Sequence, residues 1–495
     1  MIDDLERLDD LSSRLCATAR ERGVFLIWRA QSLSSRHVSV RQGRVENTHR
    51  SISAGHGMHV IDDHGYPALA SVDGFDPEDS ESLLDRTIEA TRHGERLGLT
   101  PAALSTLAVH QGREVPVDDD AFDAIDQTRV GKRLLEIETE LQRSTADASL
   151  QLGYRAEMDA WRIRRSDTTD VLFGMPRCLL SLRATNHGTD GRHGVSTNVF
   201  SSDPRLIDDD EVVERFMTRG RAAAGLATRL ADAPHHPGGS FPLVIDYALA
   251  KGLAHEAFGH ASESDGFRAS VLAEDGRFRT GHRVGPSHVS IIDEPQPNDH
   301  AWQPYSANGL PRERAVLVED GHLRDGLSDL WSYRNGGVRL TGAARAQSYG
   351  SAPLPRMTNI RIECATPLPA PGRFEDYGPE EVRDLLADAG VFRRHPRVCY
   401  LSGYTGGQVN TSVGEFVFNC RAIYSLSPDG VTLHKPAIFS GSMFGALESI
   451  REAFGPLRLD AIGFCGKWGQ HVPSSGGSHY FLVLDPHPDV HIGGS

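Results

Sequence analysis

The stretch "DYALAKGLAHEAFGHASESDG", residues 246–266, carries His255, Glu256 and His260. Two histidines around a glutamate are the parts of a helix-borne metal site, but here the histidines stand at i and i+5, not i and i+4. In an α-helix, residues four apart lie about 40° from eclipsed, whereas residues five apart diverge by about 140°. A regular helix through this stretch therefore cannot aim both imidazoles at one point. Two local solutions exist. A π-bulge, with roughly 4.4 residues per turn, returns i and i+5 to one face. Alternatively the helix breaks near Gly259, where backbone freedom is greatest, and the chain turns His260 inward. Either way, the helix through His255 is expected to be bulged or broken before His260.

Leu249 and Leu253 continue an apolar face towards His255. The polar pair then lies at the edge of a buried stripe, where unpaired polar groups are costly. On spacing alone two readings stay open: metal ligands, or a satisfied polar face of a helix. In the metal reading, a catalytic zinc takes three protein ligands and leaves one position open. His255 and His260 supply two, Glu256 is placed to take a proton from water, and the third ligand comes from elsewhere in the chain.

The rest of the chain bounds what such a site serves. Its 495 residues allow two to four domains. An apolar fraction of 39% and a charged fraction of 24% are those of a soluble globular protein. A net charge of −15 disfavours nucleic acid or an anionic membrane as partner. No apolar run is long enough to span a bilayer. The start, "MIDDLERLDDLSSRLC", lacks the basic flank and apolar core of a signal peptide. A cytoplasmic protein is expected. Six scattered cysteines without a CxxC pair read mostly as reduced, buried thiols.

The order of elements is not a regular β-α-β alternation, so the expected class is α+β, with N-terminal mixed α/β units before a β-rich C-terminal domain that carries the metal-site helix. A first α+β unit spans 1–110. Its helices fall at 4–22 and 76–98, and a strand at 24–30 is followed by antiparallel runs over 37–72. Residues 99–120 read as a connector. A central α+β unit spans 111–235, with helices near 121–144 and 209–230 and strands near 148–155, 159–165 and 177–186. "ADAPHHPGGSFP" (231–242) is a linker, with three prolines and two glycines, where His235 and His236 are expected to be solvated. The third unit, 236–495, begins strand then helix and is β-rich, with helices expected at 375–390 and 443–455. His282, His288 and His300 follow the motif without a recognisable ligand spacing. No P-loop, dinucleotide fingerprint or nucleophile-elbow serine occurs.

"HEAFGH" resembles the HExxxH motif of the TldD/PmbA metallopeptidases. "LAEDGRFRTGHRVG" (272–285), "TGAARAQSYGSAPLPRMTN" (341–359), "FCGKWGQHVPSSGGSHY" (464–480) and the closing "VHIGGS" are similar to later blocks of that family, in the same order. The resemblance is strong over the third unit and general over the first two. It implies a third metal ligand, the cysteine of a C-G-K-x-G-Q block, which is Cys465 here, so that His255, His260 and Cys465 hold one Zn2+ per catalytic chain with Glu256 as base. It further implies cleavage of peptides or peptide-like amides bound as an extended strand, and a dimer with a TldE/PmbA-type sister subunit lacking the motif, otherwise a homodimer. Arg345, Asn359, Lys467 and Gln470 lie in the matching blocks and are candidates to steady an oxyanion or simply to hydrogen-bond loops. Two departures, Ala343 in "TGAAR" and the loose "SSGGSHY", bear on substrate preference. Two alternatives stand beside a peptidase: a dedicated amide hydrolase or peptide-maturation enzyme in a natural-product pathway, and a regulatory partner protein stabilised by its metal. A structural zinc normally has four protein ligands, and three are supported.

Overall fold

The computed structural model describes residues 1–99, 101–102, 107–117, 119–145, 148–188 and 191–493. Part of the 99–120 connector and the last two residues of "VHIGGS" lie outside them. The fold is α+β. Strands β1 (Phe25–Arg41), β2 (Arg44–Ile61), β3 (Pro67–Asp73), β4 (Gln111–Glu114), β5 (Ser149–Arg165), β6 (Asp170–Gly188) and β7 (Gly191–Ser201) form one sheet in the order β3-β2-β1-β5-β6-β4, with β7 also on β6. β1 pairs with β2 and β5 along its whole length. Residues 1–110 and 111–235 thus share one sheet, and the boundary expected at 110 falls inside it.

These strands are longer than their hydrophobic runs. "RAQSLSSRHVSV" (29–40) is polar, yet it continues β1 because both neighbours complete its backbone hydrogen bonds. The two strands expected at 148–155 and 159–165 are one strand, β5, and the run at 177–186 is part of the long β6–β7 hairpin. The helix expected at 4–22 is two, α1 (Ile2–Glu6) and α2 (Asp9–Glu21). With α3 (Pro77–Thr91), α2 packs Leu11, Leu15, Leu83 and Leu84 against Trp28 and Met58. α4 (Gln127–Ser144) and α5 (Asp210–Leu230) pack Leu134, Ile137, Phe216 and Met217 against the sheet residues Leu152, Tyr154 and Leu180. Asp209 caps α5 by accepting from the amides of Glu211 and Val212 at 2.9 and 3.1 Å.

The same core continues through Val244, Tyr400, Phe481 and Val483 into the second, thirteen-stranded sheet. Six of its strands position the site together with β8 (Leu243–Asp246): β9 (Asn359–Cys364), β10 (Val398–Asn410), β11 (Glu415–Ser427), β12 (Ile450–Arg458), β13 (Gly463–Lys467) and β14 (Gln470–Leu484). β14 is the hub. Its first residues pair with β13, Ser475–Gly477 run parallel to β9, Ser478–Leu484 pair with β12, and Phe481–Leu484 pair with β8. β8 leads into α6 (Tyr247–Gly252), so one strand ties the 465 region to the 255 region.

The helix expected at 443–455 ends at Glu448, and the chain continues as β12. Ile450, Ala453 and Phe454 are buried there against β14, and Gly455 takes φ 79°, a left-handed conformation that stops a helix. Tertiary pairing overrides the local helical pattern.

Where β14 changes partners, Gly476 and Gly477 have no room for side chains. A Cβ on Gly476 would lie 1.8 Å from the Ile360 carbonyl oxygen, and one on Gly477 1.7 Å from that of Arg458. Both obstacles are backbone. Gly477→Ala should therefore destabilise the protein by about 3 kcal/mol, the upper range of overpacking, seen as a lower denaturant midpoint; an unchanged midpoint would contradict this packing.

Candidate metal centre

β8 is buried throughout. At its end Asp246 caps α6: Oδ1 accepts from the Leu249 amide at 2.9 Å and Oδ2 from the Gly403 amide at 2.6 Å. α6 then widens into a π-helix over Leu253–Gly259, followed by a 3₁₀ turn at His260–Ser262. The His260 amide donates to the carbonyl of His255, the i to i−5 bond of a π-turn. The helix takes the first of the two routes open to it. Gly259 matters for closeness rather than torsion, because a Cβ there would lie 2.7 Å from the Met357 sulfur.

The widened turn brings the rings of His255 and His260 to 5.2 Å between centroids, at 89° to one another. Cys465, on β13, places its Sγ 3.4 Å from His260 Nε2. One donor atom each from His255, His260 and Cys465 lies within 4.8 Å of the others, and this is the one such group among the described residues. His255 is 1% exposed, and its Nδ1 has no hydrogen-bond partner.

The electrostatics suit a cation. Burial, with the charges of Lys251 and His260, holds His255 well below its ordinary pKa, so its imidazole is neutral. Burial pushes the other thiols up, to about 11 at Cys16 and about 12 at Cys364 and Cys399. Cys465 is as buried, but His260 and Arg356 overcome its desolvation and lower its pKa. His260 is raised well above its usual value despite burial, by Glu263 and Cys465. The two shifts run the same way, each favouring an imidazolium beside a thiolate. A divalent ion requires a neutral imidazole and a thiolate, so it would displace one proton from this pair. A thiolate with two imidazoles is a zinc-type donor set, and the residues present fit it.

Second contacts orient the donors. His260 Nδ1 lies 3.0 Å from Glu263 Oε2, which aims Nε2 at Cys465. Lys467 donates to Glu263 at 2.9 Å and to Asp265 at 2.8 Å. The Arg356 guanidinium donates to the Cys465 carbonyl. The Tyr404 hydroxyl donates to Glu256 Oε1 at 2.9 Å, while Oε2 stands 3.9 Å from His260 Nε2. Glu256, His260, Glu263, Tyr404 and Lys467 line a cavity of about 1340 Å³ between the β7–α5 side and the second sheet.

Of the four residues named for the oxyanion, Lys467 alone reaches this cavity. Arg345 is spent on the carbonyls of Met357 and Pro473, both at 2.6 Å, and on Gln303. Asn359 donates to the Leu459 carbonyl and Ser475. Gln470 bridges the Gln347 amide and the Ala352 carbonyl. His300 is buried beside Phe464 and is not one of the grouped donors. His236 is half-buried rather than solvated, with Cys399 Sγ at 3.5 Å; His235 is exposed. Sequence reasoning missed Glu263 and Tyr404. Glu263 carried a signal, three residues after His260 on the same helical face; Tyr404, 148 residues from its partner, had none.

Residues 238–475 match the model of the PmbA/TldA metallopeptidase C-terminal domain. A metalloprotease of Methanothermobacter thermautotrophicus is 32% identical over 274 residues, 54% of this chain and 55% of the relative. The zinc metalloprotease TldD homolog of Saccharolobus solfataricus is 27% identical over 250 residues, 49% of this chain and 50% of the relative. The chain thus spans about half the length of these curated relatives. The crystal structure of TldE from Thermococcus kodakarensis superposes with a TM-score of 0.73 over 98% of this chain and 100% of that one, at 13% identity, a likeness of fold. Among the described residues no helix is long and apolar enough to cross a membrane.

The cavity wall also holds an ion cluster. Glu375 accepts from Arg219 at 2.9 and 3.0 Å and from Arg458 at 2.6 and 2.9 Å. Despite the opposing effect of its burial, these two arginines hold its carboxyl below the usual range. A depressed folded pKa adds stability that is full above the unfolded value, 4.5, and is lost as pH falls through the folded one. Glu375→Gln should cost about 2 kcal/mol at pH 7, with the gap to the parent closing as unfolding is measured below pH 4.5. A gap that does not narrow as the pH is lowered below 4.5 would contradict the ionic account.

Proposed function

The chain belongs to the TldD/PmbA family, with the match over residues 238–475, and from that premise we propose that it is a zinc-dependent peptidase acting on small or unfolded peptides. The observation that carries the reading is the convergence of His255, His260 and Cys465 beside Glu256 at the wall of one large cavity. His255, His260 and Cys465 would hold the ion, one per chain. When bound, zinc supplies Lewis acidity at the scissile carbonyl and makes water a usable nucleophile near neutral pH.

The chain's own residues supply the rest. The Tyr404 hydroxyl holds Glu256 Oε1, which leaves Oε2 to take a proton from water and return it to the leaving amine. Glu263 fixes the His260 ring and keeps its Nε2 directed at the ion's position. Lys467 neutralises Glu263 and Asp265 in a pocket where unpaired carboxylates would be costly. Three protein donors with no fourth of their kind among the described residues support an open, catalytic site over a closed structural one.

The assembly is read as a dimer with a sister subunit of the TldE type, or otherwise with a second copy. The six cysteines are all free and buried, which supports a reducing compartment such as the cytoplasm.

Glu256→Gln should keep stoichiometric zinc by metal analysis and lose peptide cleavage by about a thousandfold or more; normal cleavage would remove Glu256 as the base. Cys465→Ser should lose zinc on dialysis against a mild chelator that leaves the parent loaded. Equal zinc content in the two proteins would remove Cys465 as the third ligand.

A further inference from the structure

The hairpin that carries Cys465 breaks a local rule at its tip. Lys467 pairs with Gln470, so Trp468 and Gly469 form a two-residue turn. Both have positive φ, 50° and 77°, the combination of a type I′ turn, which favours Asn, Asp or Gly at its first position. A tryptophan there is a strained choice, and strain of this kind collects at functional sites. The side chain gains no compensating burial: Trp468 is 83% exposed, the most exposed of the large apolar residues among those described. Phe464, on the same strand, is 53% exposed. Both line the cavity that holds Glu256 and His260. Between them, Cys465 and Lys467 alternate to the opposite side, where Cys465 is buried and Lys467 is tied to Glu263 and Asp265.

We infer that Trp468 forms an aromatic platform at the cavity rim that selects substrates with a bulky apolar side chain away from the bond that is cut. The inference rests on the peptidase reading of the same site. A strand advances about 3.3 Å per residue, so Trp468 stands about 10 Å along the hairpin from Cys465. An extended peptide covers that distance in two to three residues, which places the selected side chain that far from the scissile bond. The hairpin is held rigid by the Gln470 bonds to Gln347 and Ala352 and by Lys467. The tip is therefore preformed, and an apolar side chain that covers the Trp468 ring removes its exposed surface from water. In the cavity wall Glu375 is engaged by Arg219 and Arg458, whereas the Trp468 ring is left open.

The test uses Trp468→Asn, which installs a residue suited to the turn, so that the hairpin is kept or stabilised while the ring is removed. Two peptides that differ only in Phe or Ser, three residues from the scissile bond, are compared by calorimetric binding to the zinc-loaded Glu256→Gln protein and by cleavage with the active one. The expected result is that the Phe peptide binds about tenfold more tightly, and that Trp468→Asn brings the ratio to about one while the melting temperature holds or rises. Equal binding of the two peptides to the parent, or a preference that survives Trp468→Asn, overturns the inference even where cleavage is normal. A preference lost in Trp468→Asn with no cleavage by the active protein supports the platform and overturns the peptidase reading instead. A variant that keeps the preference but falls apart as a dimer on size-exclusion chromatography would assign the ring to subunit docking and also overturn the inference.

Discussion

The geometry of the site depends on one strand. Cys465 and His260 are 205 residues apart in sequence, and no local preference can bring them together. β14 does so by pairing with the hairpin arm β13 at one end and with β8, the strand that feeds the helix, at the other. The switch between these partners needs the backbone of β14 against both β9 and Arg458, and only the Gly476–Gly477 pair permits that approach. The extra residue in "HEAFGH" is then absorbed on the helix side, where the π-turn rotates His260 onto the face of His255. A widened helix is less favourable than a regular one, so it persists where surrounding packing holds it. Met357, lying against Gly259, is part of that packing.

The electrostatic arrangement follows from burial. Lys251, Arg356 and Glu263, all buried, and the partly buried Lys467 and Glu256 surround the donors. His260 and Arg356 lower the Cys465 pKa where burial raises those of the other thiols, and Glu263 with Lys467 locks the His260 ring. These shifts favour the neutral His255 imidazole and the Cys465 thiolate that a divalent ion would need, with one proton to be displaced from the His260–Cys465 pair. In the proposed reading, the second contacts prepare the site for a metal as much as the three candidate donors do.

Much of this was legible in the sequence, for identifiable reasons. The i, i+5 spacing is a hard geometric constraint: if both histidines face one point, the helix has to be distorted, and it is. The α+β class followed from irregular element order. The third donor was legible through a family resemblance and not through spacing, because its position is set by strand pairing across the sheet. Long-range pairing also explains the failures. β1 runs on through a polar segment because it has two neighbours, and the stretch after Glu448 is a strand because β14 lies beside it. Arg345, Asn359 and Gln470 read as possible catalytic donors, but they are consumed by backbone carbonyls, an amide and other side chains that belong to distant segments.

The central claim is that His255, His260 and Cys465 hold one zinc ion with a position left open. X-ray absorption at the zinc edge on the loaded protein tests it directly. The account predicts one sulfur at about 2.3 Å and two imidazole nitrogens at about 2.0–2.1 Å, with a further light scatterer from solvent. A sphere without sulfur, or one closed by a fourth protein donor, would contradict it.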